Sequence, residues 1–323
     1  MATDQREAAF EATHRRRAEF EETLTRTAEA RGAEAGSALG RASLWKDAYY
    51  RFIANRASVV ASFAFLLLLA YVIFVPIFSR YDPYAVDFSQ AYLSPSLEHL
   101  FGTGQFGRDL FLRTALGGRV SFAIGFAATF AIMLIGITYG SISGFVGGHL
   151  DNSLMRFLDA LYGLPYLPFA IITLAIFGTV SFWTMVIALT IASWFTTARV
   201  MRGQIMTLKQ NDYVRAAYAV GAPRRRILFR HLLVNTLGVI IVFVFLELPG
   251  VILGEAFLSF IGLGISPPKA SWGTLAQEGY VEYQAHPYII VIPSLMIAWL
   301  ILSAFFIADG LRDALDPRMK ETT

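Results

Sequence analysis

The chain of 323 residues contains no cysteine and few charged side chains, and each shortage excludes a class of chemistry. Without cysteine there can be no disulfide bond and no thiolate metal ligand. Only four lysines occur, and none follows a glycine, so the chain has no phosphate-binding loop ending in Gly-Lys-Ser or Gly-Lys-Thr. Neither a His-Glu-x-x-His zinc helix nor a Gly-x-Ser-x-Gly nucleophile turn is present. We therefore expect a chain that is not an enzyme and that holds no metal or cofactor of its own.

Charge is scarce because long stretches of the chain are apolar: 55% of the residues are hydrophobic and 16% are charged. Four charge-free runs each reach the ~20 residues that cross a hydrocarbon core; they lie at 57–79, 120–148, 160–198 and 287–308. A fifth apolar block, 232–258, is interrupted only by Glu247 and Glu255. Continuous rather than alternating hydrophobicity selects helices over a barrel. Because 160–198 is long enough for two crossings, the sequence predicts an all-α membrane protein with six transmembrane helices, at about 57–79, 120–142, 157–177, 182–200, 236–258 and 287–308.

The positions of the cations predict the orientation of this transmembrane domain, 57–323. With both termini in the cytoplasm, 22 of the 27 Lys and Arg residues lie inside and five lie outside. Since topology explains the positive charge, we expect lipid contacts and no nucleic-acid partner. Residues 1–43 have the mixed charge of a solvated cytoplasmic tail. The aromatic and basic residues of 44–56 predict a short helix along the membrane surface.

A basic segment at 199–235 separates two apolar spans and holds eight of the 27 cations. Asn211 or Asp212 is suited to cap a helix, Gly221 to end it, and Pro223 to occupy the first turn of a second helix. This pattern predicts a cytoplasmic helix-turn-helix that is half apolar and half basic. Such a surface can dock into a groove on another protein, or lie on anionic lipid as an ordinary positive-inside loop.

Four motifs carry a resemblance to one family. The basic segment resembles the "EAA" cytoplasmic loop of binding-protein-dependent ABC importer permeases, with YVRAA at 213–217, GA at 221–222, Ile227 and RHLLVN at 230–235. Three further regions are similar to the two outer loops and the C-terminal ending of dipeptide/oligopeptide permease C-type subunits; they read HLFGT at 99–103 with GRD at 107–109, GLGISPP at 262–268 with SWG at 271–273, and DGLRDALDP at 309–317. The chain is identified as a member of this family over about residues 45–318.

Three positions differ from the family pattern. Arg215 stands where a Glu usually opens the cytoplasmic motif, Val234 where a Pro is common, and Gly104 where an Asp often follows Gly-Thr.

The resemblance implies a type I ABC importer permease fold in a bacterial inner membrane. A second homologous permease chain would share the pathway, and two ATPase subunits would bind ATP and Mg²⁺. An extracytoplasmic binding protein would deliver peptides to the outer loops. The coupling loop, 201–235, is expected to contact an ATPase subunit through Tyr213, Arg215, Ala216, Ala217, Gly221, Ala222 and Arg225.

Two carboxylates in the fifth predicted span are candidate contacts of the substrate pathway, because charged groups inside a membrane are costly and tend to be functional. Glu255 can contact a peptide amino group or the partner permease, or it can pair locally. Glu247 precedes Pro249 and Gly250, which predict a break in the helix, and it is either a substrate contact or a packed carboxylate.

Two other functions stay open. The same family includes importers of nickel or of other small chelated solutes. A secondary transporter driven by an ion gradient would use Glu247 and Glu255 as carriers, although such folds usually show paired repeats. Near the third span, the spacing of Arg156 and Asp159 predicts a local ion pair, and Pro165 with Pro168 predicts a kink.

Overall fold

The apolar runs form long helices. The computed structural model describes residues 44–315, and the regular structure in this part of the chain is helical. Short helical turns occupy Phe88–Gln90, Arg224–Arg226, Ile227–Leu232, Leu233–Asn235 and Ser259–Leu263. The longer helices are α1 (Leu44–Ala54), α2 (Arg56–Phe78), α3 (Leu110–Val146), α4 (Gly148–Tyr162), α5 (Tyr166–Phe177), α6 (Phe182–Leu208), α7 (Asp212–Ala219), α8 (Leu237–Leu258), α9 (Trp272–Val281) and α10 (Tyr288–Leu315).

The chain divides into two compact units, one up to Tyr50 and one from Arg51 onward. The described residues of the first unit form the start of α1. There the exposed rings of Tyr49 and Tyr50 pack edge to face, with their centroids 5.9 Å apart. The predicted tail at 1–43 lies outside the described residues, and the membrane-surface position of α1 stays a prediction.

The second unit contains the membrane-spanning helices. By length and composition, α2, α3, α6, α8 with its extension to Leu263, and α10 are each able to cross a membrane. Together α4 and α5 make a sixth crossing if the bent pair is one span. The predicted all-α membrane fold is confirmed.

The third span is not the single helix predicted at 157–177. Instead α4 and α5 meet at an angle of 90°. The break falls at 163–165, where Pro165 is the N-cap of α5 with extended backbone. Proline lacks an N–H and drives the preceding residue, Leu164, away from helical backbone angles. The predicted kink is therefore located correctly, but it is a full break.

Besides α10, which continues to Leu315, two helices run past the charge-free runs that predicted them. Instead of starting near 120, α3 starts at Leu110, where the Asp109 carboxylate caps it by accepting the Leu112 N–H at 2.8 Å. At its other end, α6 continues to Leu208 rather than stopping near 200. The arginines inside these extensions have partners, so their charge does not end the helix.

Arg119 illustrates how such a charge is accommodated. Pro76 in α2 has no N–H, which leaves the carbonyl of Val72, four residues earlier, without its helical donor. The guanidinium of Arg119 donates to that carbonyl at 3.0 Å and to the carbonyl of Ile73 at 2.6 Å. A backbone carbonyl in lipid needs such a partner. Arg119 thus joins α3 to α2.

The tightest packing in the fold is between α3 and α6. Three glycines four residues apart line the contact face of α3; they are Gly136, Gly140 and Gly144. A Cβ atom added at Gly140 would lie 2.1 Å from the Ala198 carbonyl oxygen, so only glycine permits this approach. A core of buried side chains from α3, α5, α6 and α8 continues from this seam. A second core surrounds Trp272 of α9, which is completely buried against α2, α3, α8 and α10.

Candidate functional site

The predicted turn of the basic segment is present. The helix α7 runs over Asp212–Ala219, and Gly221 follows it with φ of +79°. The Ala222 N–H donates to the Ala217 carbonyl and the Gly221 N–H to the Tyr218 carbonyl, both at 3.0 Å. This pair of bonds is a Schellman motif, which requires a left-handed residue at the position of Gly221. Gly221 therefore ends the helix as predicted.

The start of each helix in the segment differs from the prediction in detail. Asn211 is the N-cap residue of α7, but within the described residues its side chain accepts no capping hydrogen bond. Pro223 is the N-cap residue before Arg224, and not part of the first helical turn. Backbone geometry rather than side-chain capping therefore defines these two starts.

An apolar cluster fixes α7 to its own chain. Its fully buried side chains are Ile205 of α6, Val214 of α7, Ile227 and Leu232. Phe145 at the end of α3 packs against the cluster. Ala217 and Ala222 also pack there and are half-buried. These two predicted contact residues therefore face the body of the protein, and they support the turn.

The other side of α7 is exposed. Of the predicted set, Tyr213, Arg215 and Ala216 of α7 are exposed, and so are Gly221 and Arg225 in the turn that follows it. Among the described residues, no atom lies within 4 Å of a Cβ added at Gly221, so its left-handed backbone, and not crowding, is what a larger residue would disturb. The seven predicted residues thus separate into five that are exposed and two that pack against the apolar cluster.

Glu255, one of the two candidates for the substrate pathway, lies in the protein interior. Its side chain has 0% exposure. The carboxylate accepts hydrogen bonds from Ser121 of α3 at 3.0 Å and from Ser259 at 2.7 Å. Ser121 in turn accepts the backbone N–H of Trp272 at 3.2 Å. Glu255 therefore ties three helices together, in line with the local-pairing alternative.

Glu247 is half-buried on α8, eight residues before Glu255. Within residues 237–258 the helix break predicted at Pro249 and Gly250 is not found, and α8 continues through Pro249. An exposed side of α8 begins beside Glu247 and repeats every three or four residues, through Leu246, Gly250, Leu253 and Phe257. Glu247 thus stays accessible at the edge of an apolar strip.

The two outer-loop motifs lie at the opposite end of α3. By helical rise, this end is about 55 Å from Val146. His99 and Asp109 form a buried pair, with Nδ1 and Oδ2 2.8 Å apart. The Tyr288 hydroxyl donates to the Thr103 carbonyl at 3.1 Å, which joins the first outer loop to α10. The structure therefore brings motifs that are far apart in sequence into one packed surface.

Side chains also join the first outer loop and α3 to the second outer loop. The Tyr92 hydroxyl donates to Glu282 at 3.0 Å. Removal from water and the Glu282 carboxylate raise the pKa of Tyr92, so the phenol remains the donor. Arg113 of α3 binds Glu278 of α9 through two hydrogen bonds of 2.8 and 3.0 Å.

Comparison with known proteins shows the family. The sequence profile of the binding-protein-dependent transport system inner membrane component matches residues 136–321. The chain belongs to this family of transport permeases. The profile of the N-terminal TM domain of oligopeptide transport permease C matches residues 43–95 of the permease. The protein is accordingly a multi-pass inner-membrane permease of the ABC type, and the family implies ATPase and binding-protein partners.

Relatives cover most of the permease. The oligopeptide transport system permease protein OppC of Bacillus subtilis (strain 168) is 42% identical over 86% of this chain and 91% of its own. The protein of the same name from Haemophilus influenzae is 40% identical over 85% and 89%. The dipeptide transport system permease protein DppC of Bacillus subtilis is 37% identical over 86% and 87%. Among solved structures, the inward-facing MetNI methionine ABC transporter aligns at 17% identity over 61% of this chain and 94% of that chain, with a TM-score of 0.49.

Sequence reasoning missed Val214, the residue of the permease that holds α7 in place. Val214 lies between two predicted contact residues. It is the branched aliphatic side chain of an otherwise polar or small-residue helix, three residues before Ala217, and this position could have indicated that it is buried. Sequence reasoning also missed Ser121 as a partner of Glu255, because Ser121 is 134 positions away along the chain.

Proposed function

We propose that this permease is the C-type subunit of an ATP-driven importer that moves peptides delivered by an extracytoplasmic binding protein. Support for the cargo comes from relatives named for oligopeptide and dipeptide transport, which align with more than four fifths of the chain. A second homologous permease chain completes the pathway, and the termini and the basic segment face the cytoplasm.

The observation that carries the coupling role is the two-sided packing of α7. Val214 is buried in the permease, whereas Tyr213 and Ala216 on the other side are exposed. The chain has no phosphate-binding loop, so ATP and Mg²⁺ bind to separate ATPase subunits and the permease is not catalytic. An ATPase subunit contacts the side formed by Tyr213, Arg215, Ala216, Gly221 and Arg225. Ala217 and Ala222 hold that side in place from beneath.

Force applied to α7 reaches the spans through the apolar cluster. Ile205 belongs to α6 and Phe145 to α3, so the cluster joins α7 to the most tightly packed helix pair of the fold. Switching such a body fully between two states takes ~5.5 kcal/mol of differential binding. The exposed strip of α8 beside Glu247 is placed to meet the second permease chain, with Glu247 at the edge of the shared pathway.

Reconstitution tests this function. The permease, its partner permease, two ATPase subunits and the binding protein are placed in vesicles, and uptake of a labelled tripeptide is measured. We expect uptake that requires external binding protein and ATP on the ATPase side. Uptake driven by a proton gradient without ATPases would support the ion-coupled alternative, and uptake of chelated nickel but of no peptide would support the metal branch.

A further inference from the structure

An ion pair between a buried carboxylate and a guanidinium side chain that is 29% exposed joins three helices near the basic segment. The carboxylate of Asp151, in the first turn of α4, is buried. It accepts two hydrogen bonds from Arg202 of α6, at 2.5 Å from Nε and 2.6 Å from Nη2. Ser143 near the end of α3 donates a third at 2.5 Å. Two parallel bonds from a guanidinium to a carboxylate fix the relative position of the two groups more firmly than a single contact.

This ion pair lies next to the cluster that holds α7. Arg202 is three residues before Ile205, which is fully buried beneath α7. A Cβ atom added at Gly144 would lie 2.7 Å from the Arg202 carbonyl oxygen, so α3 and α6 touch backbone to backbone here. The ammonium of Lys209, the residue after the end of α6, donates to the Phe145 carbonyl at 2.6 Å. The ends of α3 and α6 and the helix α7 therefore form one packed body.

By contrast, the backbone ties α4 only weakly to that body. The junction between α3 and α4 consists of Gly147 and Gly148, with φ of +72° and +62°. A Cβ added at either would meet no atom of the described residues within 4 Å. At its other end α4 breaks by 90° into α5. Left-handed glycines at one end and a break at the other leave side chains to set the position of α4; apart from the Asp151 pair, Leu158 packs against Phe195 and Ala198 of α6.

A second ion pair joins α4 and α6 but is exposed. Asp159 pairs with Arg199 at 2.7 Å, and their side chains are 64% and 45% exposed. The local Arg156–Asp159 pair predicted from the sequence is replaced by this contact between helices. An exposed pair contributes little because water and salt screen it. The buried Asp151 pair is therefore the stronger polar link.

We propose that Asp151, Arg202 and Ser143 are positioning residues for transport: they carry the movement of α7 into α4, and through α4 into the broken span. The inference rests on the proposed coupling role of α7. If α7 moves with α6 when ATP binds, the Asp151 carboxylate must follow Arg202. Loss of one partner would leave a buried charge unpaired and would remove the polar link between the first turn of α4 and α6, so that this end of α4 no longer follows α6 closely.

Variants of this link are compared with variants of the exposed pair in the reconstituted complex. Arg202→Gln removes the link, the double variant Asp151→Arg with Arg202→Asp restores an ion pair in reverse, and Ser143→Ala removes one hydroxyl. The matched control is Asp159→Asn with Arg199→Gln, between the same two helices. The quantities measured are assembly, ATP hydrolysis and peptide uptake per ATP hydrolysed.

We expect Arg202→Gln to hydrolyse ATP at a rate within about threefold of the parent while uptake per ATP falls at least tenfold. Reversal of the pair should recover at least a third of that loss, and the control should change uptake per ATP by less than twofold. If Arg202→Gln does not assemble, Ser143→Ala decides, with an expected drop of about threefold. Unchanged uptake per ATP, or an equal loss in the control, overturns the proposal.

A distance measurement separates this role from simple stability. Because the chain has no cysteine, Asn152→Cys on α4 and Ala219→Cys on α7 place two spin labels at exposed sites. With the pair intact, we expect one narrow distance that ATP leaves unchanged. In Arg202→Gln, ATP should broaden or shift it. A parent complex that does not import peptides refutes the proposed function, whereas an unchanged distance in an active Arg202→Gln complex refutes only this inference.

Discussion

The two ends of the permease are held together in different ways. At the outer end, directional polar contacts join loops that are distant in sequence: Tyr92 with Glu282, Arg113 with Glu278, and Tyr288 with Thr103. At the other end, α7 rests on an apolar cluster around Val214. Hydrogen bonds are directional and fix geometry, whereas an apolar contact is not directional, so α7 is held mainly by its fit against the ends of α3 and α6. In the proposed function, the end with the two outer-loop motifs is a fixed surface, and α7 is the element that an ATPase subunit moves.

The largest expected effect is at the core of the outer end. Trp272 is completely buried, and its indole N–H donates to the Thr114 carbonyl at 2.8 Å. Trp272→Ala removes a large packed side chain and should destabilise the permease by ~3–5 kcal/mol. Thermal unfolding in detergent, compared with the parent, measures the loss. A variant that keeps the unfolding temperature of the parent would show that the outer end is not the rigid one.

An intermediate effect is expected where α3 joins α2. Arg119→Leu leaves the carbonyl of Val72 without a donor and should destabilise the permease by ~1–3 kcal/mol. Pro76→Ala restores an N–H within α2, so the same substitution at Arg119 should have a smaller effect in that background. The double-mutant cycle is measured by unfolding. Equal effects of Arg119→Leu in both backgrounds would refute the link between the proline and the arginine.

The smallest effect on stability, with a large effect on function, is expected at Gly221. A valine there must adopt the left-handed backbone, at a cost of ~1–2 kcal/mol. Membrane insertion should be intact because the turn lies outside the spans. Substrate-stimulated ATP hydrolysis should be lost, because the turn that presents the exposed side of α7 is distorted. Gly203→Val on α6, at an ordinary helical position with open space for a Cβ, is the control.

If Gly221→Val couples ATP hydrolysis to substrate normally, the turn has no role in coupling. Loss of coupling in Gly203→Val as well would show that added bulk near the basic segment, rather than the turn, is responsible.

Local chemistry was readable from the sequence, and long-range chemistry was not. The Schellman motif that ends α7 at Gly221 involves only residues that are close together in sequence. The break after α4 likewise depends on Pro165 and its immediate neighbours, so both features could be predicted. The ends of α3 and α6 were placed about ten residues inward, because a charge-free run cannot reveal that Arg113 pairs with Glu278 or Arg202 with Asp151. Partners 165 and 51 positions away decide whether an arginine belongs inside a helix.

The direction of side chains on α7 was also beyond the sequence. Ala216 and Ala217 are adjacent and chemically identical, yet one is exposed and the other packs on the cluster. Only the position of α7 on α3 and α6 distinguishes them. The same holds for the two glutamates of α8, since one of the serines that bind Glu255, Ser121, comes from a distant part of the chain, whereas Glu247 lies beside an exposed strip.

These adjacent alanines allow the most direct test of the proposal that the exposed side of α7 contacts an ATPase subunit. In a permease without cysteine, Ala216→Cys and Ala217→Cys each introduce one thiol, and cross-linking to the ATPase subunit is measured in the assembled complex. We expect Ala216→Cys to form the cross-link and Ala217→Cys not to form it. Cross-linking through Ala217→Cys alone, or through neither position in an active complex, would contradict the proposal.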